Sequence, residues 1–158
     1  MIPPKQRIPG ERHGCKGIML AVIFVWAGML LGISFLEAPL KFQAPNVTLA
    51  IGLGIGRLVF GTLNKIEIVF AVSIAILCVF TKPSIGLQIL LSIIGIILIV
   101  QSIWLLPILD ARAQIIIAGG IPAESSPHFS YVIGEATKLI LLILSGYRLF
   151  KTSFNFGY

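Results

Sequence analysis

The chain cannot hide its apolar residues inside a soluble core. Four stretches, at about 18–36, 46–81, 84–107 and 130–150, are long and nearly free of charge. A helix needs about 20 consecutive apolar residues to cross the roughly 30 Å hydrocarbon layer of a membrane. Of the 158 residues, 57% are hydrophobic and only 11% charged, against about 25% charged in a soluble domain. Inside a bilayer the backbone must satisfy its own hydrogen bonds, which a helix does. The expected fold is all-α, an integral membrane bundle of four transmembrane helices forming one domain, 18–150. It lies between a basic N-terminal tail, 1–17, and a short C-terminal tail, 151–158.

The first apolar run, Ile18–Leu36, has 19 residues and no small-residue cleavage site after it, so it reads as a retained helix rather than a signal peptide. Glu37-Ala38-Pro39 and Pro107 read as helix ends, because proline disfavours helical geometry in the residue before it. Taken as one helix, the 35 residues from Asn46 to Phe80 would run roughly 52 Å. That segment is therefore either long or broken near Asn64-Lys65-Ile66-Glu67. Residues 110–129 read as a connecting loop, with Ile115-Ile116-Ile117 on the membrane surface and turns at Gly119-Gly120 and Pro122. Gly28 and Gly32 form a small-xxx-small pair, and Gly54 and Gly61 lie on a small and polar stripe at helical spacing. Such positions let a second helix approach closely.

Net charge is +6, from twelve Lys/Arg and six Asp/Glu. The basic residues flank apolar segments, so membrane orientation and lipid headgroups explain them, and no nucleic-acid-binding pattern is present. With four helices, Lys5, Arg7, Arg12, Lys16, Lys82, Arg148 and Lys151 share one side. Lys41, Arg57, Lys65 and Arg112 share the other. A five-helix reading gives six against four. The positive-inside rule favours four helices with both termini cytoplasmic, as in a bacterial inner membrane.

Glu135 and Lys138 lie inside the last apolar segment, three residues apart and so on one helical face. A charge in hydrocarbon costs about 2.5–3.5 kcal/mol by insertion scales, and such groups pair or face a protein interior. The four-helix reading brings Glu37, Arg57, Asp110, Arg112 and His128 to the outer interface, with Glu135 and Lys138 just below. This polar cluster is the candidate site. It is either a pathway for a proton, ion or small solute, or a structural ion-pair network.

Other chemistries lack support. The possible metal ligands Glu37, Asp110, His128 and Glu135 come from four separate places without ligand spacing. The only histidines, His13 and His128, fall at opposite ends and do not suit a haem. No nucleophile motif is present, and Gly52, Gly54 and Gly56 lack the strand of a phosphate loop. Cys15 and Cys78 lie at different depths and are expected to stay unpaired. No cofactor or metal is expected.

Trp26-Ala27-Gly28 followed by Glu37-Ala38-Pro39, and Gly56-Arg57-Leu58-Val59-Phe60-Gly61, carry a resemblance. So do Leu106-Pro107 with Asp110 and Arg112, and His128 with Tyr131 through Glu135 and Lys138. Together these resemble small four-helix membrane proteins of unknown function related to transmembrane protein 205-like proteins. The resemblance covers most of residues 20–148 and implies a four-helix bundle with no settled chemistry.

Two functions follow. The first is a non-enzymatic accessory or scaffold subunit, packing in membrane lipid against other integral membrane subunits or its own copies. The alternative is a small ion, proton or solute transporter that uses the charged cluster.

Overall fold

The computed structural model describes residues 9–122 and 127–153, with side chains from Gly14 onward apart from 123–126. The outer parts of both expected tails, 1–8 and 154–158, lie outside the described residues, as do the side chains of Arg12 and His13. Four helices are long and apolar enough to cross a membrane: α1 (Gly14–Gln43), α2 (Leu49–Thr81), α3 (Ile85–Ile117) and α4 (Pro127–Ser153). The helical backbone of α1 already begins at Pro9.

Thr48 caps α2, its hydroxyl accepting from the Ile51 amide at 3.3 Å. Lys82, in the left-handed region at φ 46, ends α2 with its amide on the Cys78 carbonyl. Pro83 then blocks further helix, and Ser84 precedes α3. The helices form a ring in which each packs on its sequence neighbours and α1 closes against α4, leaving α1 diagonal to α3.

The core is a set of heptad stripes. α1 contributes Met19, Ile23, Trp26 and Leu30, α3 contributes Leu87, Ile94 and Leu98, and α4 contributes Leu142 and Leu149. Steps of three, four and seven residues keep these side chains on one face. Around them, Leu31, Leu58, Val79, Ile103 and many other large apolar side chains point outward. Lipid, rather than water, is the medium that suits such a surface.

One alternative left open by the sequence is resolved, and two expectations, the proline helix ends and the loop at 110–117, change. α2 is one unbroken helix of 33 residues. Asn64 and Glu67, read as a possible break, are both buried inside the bundle, while Lys65 on the other face is exposed. At roughly 50 Å the helix is longer than the roughly 30 Å hydrocarbon layer of a membrane.

Neither Pro39 nor Pro107 ends its helix. Each follows a short π-helical segment, Leu31–Glu37 in α1 and Gln101–Leu105 in α3. The Ala38 amide reaches back five residues to the Ile33 carbonyl, and the Leu106 amide does the same to Gln101. A proline ring ordinarily clashes with the carbonyl four residues before it, and a widened π turn moves that carbonyl aside. The helices therefore continue to Gln43 and Ile117, and residues 110–117, expected in a loop, are helical.

Within this chain, side chains of neighbouring helices press on other glycines than those chosen from sequence. A Cβ on Gly146 would meet the Phe24 ring, at 2.8 Å from Cζ, and one on Gly134 would lie 2.6 Å from the Gln101 amide nitrogen. A Cβ on Gly28, Gly32, Gly54 or Gly61 would meet nothing within 4 Å.

Candidate functional site

Glu135 and Lys138 belong to a heptad stripe of the last helix. Tyr131, Glu135, Lys138, Leu142, Ser145 and Leu149 are all buried, spaced by four, three, four, three and four. Glu135 thus occupies the position that carries Leu142 and Leu149 further along the same helix, and Lys138 the position of Ser145. The α2 stripe does likewise: Gly56, Leu63, Glu67, Ile74 and Thr81 are buried at near-heptad spacing.

These stripes meet in a buried triad. The Lys138 ammonium donates to Glu67 at 2.5 Å and lies 2.9 Å from Glu135. Lys138 is 0% exposed, and Glu67 and Glu135 are each 1% exposed. The Trp26 indole N–H donates to Glu67 Oε1 at 2.9 Å. Glu135 accepts from the Ser34 hydroxyl at 2.9 Å and from the Gln101 amide at 3.0 Å. Gln101 also donates to the Tyr131 carbonyl at 3.2 Å. All four helices contribute, and both π segments deliver a donor to the same carboxylate, Ser34 from α1 and Gln101 from α3.

Fully ionised, the triad holds two negative charges and one positive. Three carboxylate oxygens are engaged, but Glu67 Oε2 is buried with no hydrogen-bond partner, as is Gln101 Oε1. Unpartnered buried polar atoms are uncommon in folded proteins and call for an explanation.

Above the triad, toward the loops, the ring opens into a cleft of about 720 Å³. Its walls include Ser34, Ala38 and Pro39 from α1, Gly52, Gly56 and Gly61 from α2, and Ser102 and Pro107 from α3. Glu135, Tyr131 and His128 line it from α4. Small residues on α2 and the two π–proline segments leave this space. Most of the lining is apolar, including Phe35, Phe42 and Phe60. Phe60 and Tyr131 pack edge to face with centroids 5.6 Å apart. Below the cleft mouth, Asn64 donates to the Ser102 hydroxyl at 2.7 Å, tying α2 to α3.

Two ion pairs stand at the rim. Arg57 grips Asp110 with two hydrogen bonds, at 2.5 and 3.1 Å, and Gln114 adds a third to the same carboxylate at 2.7 Å. Lys41 lies 3.3 Å from Glu37, one turn earlier, and 5.1 Å from the centre of the Phe60 ring. Such partly exposed pairs contribute little stability in water, but they place charge of both signs at the mouth.

The cluster expected from sequence therefore divides. Arg57, Asp110, His128 and Glu135 share the cleft, Glu37 stands beside Lys41 at its rim, and Lys138 lies beneath it. Arg112 is half-buried on α3 and is not among the residues lining the cleft. Sequence reasoning missed Glu67, Ser34 and the Trp26 donor, and left Gln101 outside the candidate cluster. The stripe through Gly56, Leu63, Ile74 and Thr81 is the signal that could have found Glu67. Among the described residues no group of three His, Cys, Asp or Glu side chains is placed to hold a metal ion. Both cysteines are unpaired. No family model, curated protein or solved structure matches this chain.

Proposed function

We propose that this chain is a small membrane carrier. Its cleft takes up a small, largely apolar solute bearing a polar group, above a charged floor. One observation carries this reading: the cleft of about 720 Å³ reaches Glu135, a member of a triad sealed from solvent on its other side. Ionisable groups within a membrane segment are expensive and are functional candidates by default. Ligand sites elsewhere are likewise mostly apolar clefts with a few convergent polar groups. The basic residues at the end bearing the termini support a cytoplasmic position for that end, so that the cleft opens outward, as in a bacterial inner membrane.

The test is one-sided access followed by flux. Ser102→Cys in proteoliposomes of known orientation should react with a membrane-impermeant maleimide from the loop side only. A panel of small amphipathic solutes should protect that cysteine, and one of the protecting solutes should be taken up by wild type. Reaction from neither side, or uptake indifferent to cleft-filling Gly56→Phe, sinks the reading.

A second reading is that of an accessory subunit. Gly28 is exposed, and open space surrounds the Cβ position of both Gly28 and Gly32, so another subunit's helix has room to approach there. Native mass spectrometry after gentle extraction would support it by stoichiometric co-purification with a larger complex, and a clean monomer would remove it.

A further inference from the structure

We infer that the Glu67–Lys138–Glu135 triad binds and releases one proton as the cleft works, so that the carrier is coupled to protons and not to a metal cation. This inference rests on the carrier reading above.

The first argument is charge. Two carboxylates and one ammonium carry one uncompensated negative charge, and the surrounding groups do not cancel it. Trp26 and Ser34 from α1 and Gln101 from α3 are uncharged. Tyr131 and, higher in the cleft, His128 are the other titratable side chains from α4, and the Arg57–Asp110 and Lys41–Glu37 pairs above each balance themselves. A net charge sealed among four helices in an apolar medium is costly, and one added proton makes the site neutral.

The second argument is the shape of the vacancy. A hard cation gathers about six oxygens. Here the ammonium occupies the space between the carboxylates, at 2.5 and 2.9 Å, and would repel one. Three of the four carboxylate oxygens already accept hydrogen bonds, leaving Glu67 Oε2 as the one free carboxylate oxygen. A single unengaged carboxylate oxygen fits a proton rather than a metal ion.

The third argument is a route. Glu135 lines the cleft, and Glu67 does not. Lys138 touches both. A proton arriving from the cleft adds to the Glu135 carboxylate. Lys138 then gives one of its ammonium protons to Glu67 and takes the proton from Glu135. Glu67 ends as the carboxylic acid, Glu135 as the carboxylate and Lys138 as the ammonium, so one proton has moved inward with no other change. Reversal returns it. Once Glu67 is neutral, Lys138 and Glu135 form a balanced pair.

The test is a pH titration of the full chain in lipid nanodiscs, read by infrared difference spectroscopy in the carbonyl band of protonated carboxylic acids. Wild type should take up about one proton per chain in a reversible step. Glu67→Gln makes the site neutral and should abolish that step, whereas Glu37→Gln at the rim should leave it intact. The double variant Glu135→Gln with Lys138→Met restores a charge of minus one through Glu67 alone, and should again take up one proton. That variant decides the matter if Glu67→Gln fails to fold. The inference is overturned if wild type shows no such step, if the step survives in Glu67→Gln, or if the double variant lacks it. If Ser102→Cys is unreactive from both sides while the step behaves as described, the cleft reading fails and the proton site stands. If the cleft is reactive and no step occurs, the reverse holds.

Discussion

The two halves of this bundle use the same packing register for opposite purposes. Toward the termini the stripes carry Met19, Ile23, Leu87, Leu142 and Leu149, and even the buried Thr81 hydroxyl is spent on the Leu77 carbonyl of its own helix, at 2.8 Å. Toward the loops the stripes carry Glu67, Gln101, Glu135 and Lys138, and the helices part around a cleft. A heptad position therefore specifies that a side chain points inward, and says nothing about whether the interior there is oily or ionic. In lipid, apolar side chains gain little by leaving the surroundings, and buried hydrogen bonds and close packing carry helix association instead. The two halves are expected to be held by different forces, and substitutions can tell them apart.

The largest effect should come from Lys138→Met. It leaves two buried carboxylates with no cation, and breaking a buried pair in this way typically costs about 3–5 kcal/mol. Reversible unfolding in mixed micelles would measure it, and adding Glu135→Gln should recover part of the loss. A cost no greater than that of a single core truncation would mean that the ionic half is not held by its triad.

Next comes Leu142→Ala, in the apolar half. Soluble cores lose about 2–5 kcal/mol for such a change. Lipid offers the unfolded chain an alternative apolar contact, so about 2 kcal/mol is expected from the same unfolding assay. Gln101→Leu should follow, at about 1.5 kcal/mol, by removing a donor to the charged Glu135. Because it acts on the ionic half, its effect should shrink when Glu135→Gln is present, while that of Leu142→Ala should not.

The smallest effect on stability should come from Arg57→Gln at the rim. Thermal unfolding is expected to be unchanged, whereas protection of Ser102→Cys by cleft-bound solutes should weaken. A fall in melting temperature equal to that of Gln101→Leu would erase the distinction between rim and floor.

Much of this was legible beforehand, and the misses have physical causes. Long uncharged runs predict four helices, because the bilayer leaves the backbone few other choices. Glu135 and Lys138 stand out since the rest of the run from Ser130 to Tyr147 carries no charge. Glu67 was hidden by its neighbours: Asn64, Lys65 and Glu67 together look like a solvated break. Only the register separates exposed Lys65 from buried Glu67. Pro39 and Pro107 mislead because the rule that proline stops a helix assumes an α-turn before it. No residue in Leu31–Glu37 or Gln101–Leu105 announces a π turn. Trp26 is packed within the bundle, and nothing in the sequence reveals which acceptor its indole N–H finds across 41 positions of chain.

The two π–proline segments have a mechanical consequence. α1 and α3 run in the same direction, stand diagonally across the ring, and are interrupted at one level, the level at which Ser34 and Gln101 both grasp Glu135. Below that level each is a regular helix with a full set of backbone bonds, wedged among its neighbours. Above it each begins again after a widened turn. The molecule therefore resembles a pair of tweezers with its pivot at Glu135. The loop-side arms are joined to the packed halves through those widened turns, and one carboxylate ties both turns together.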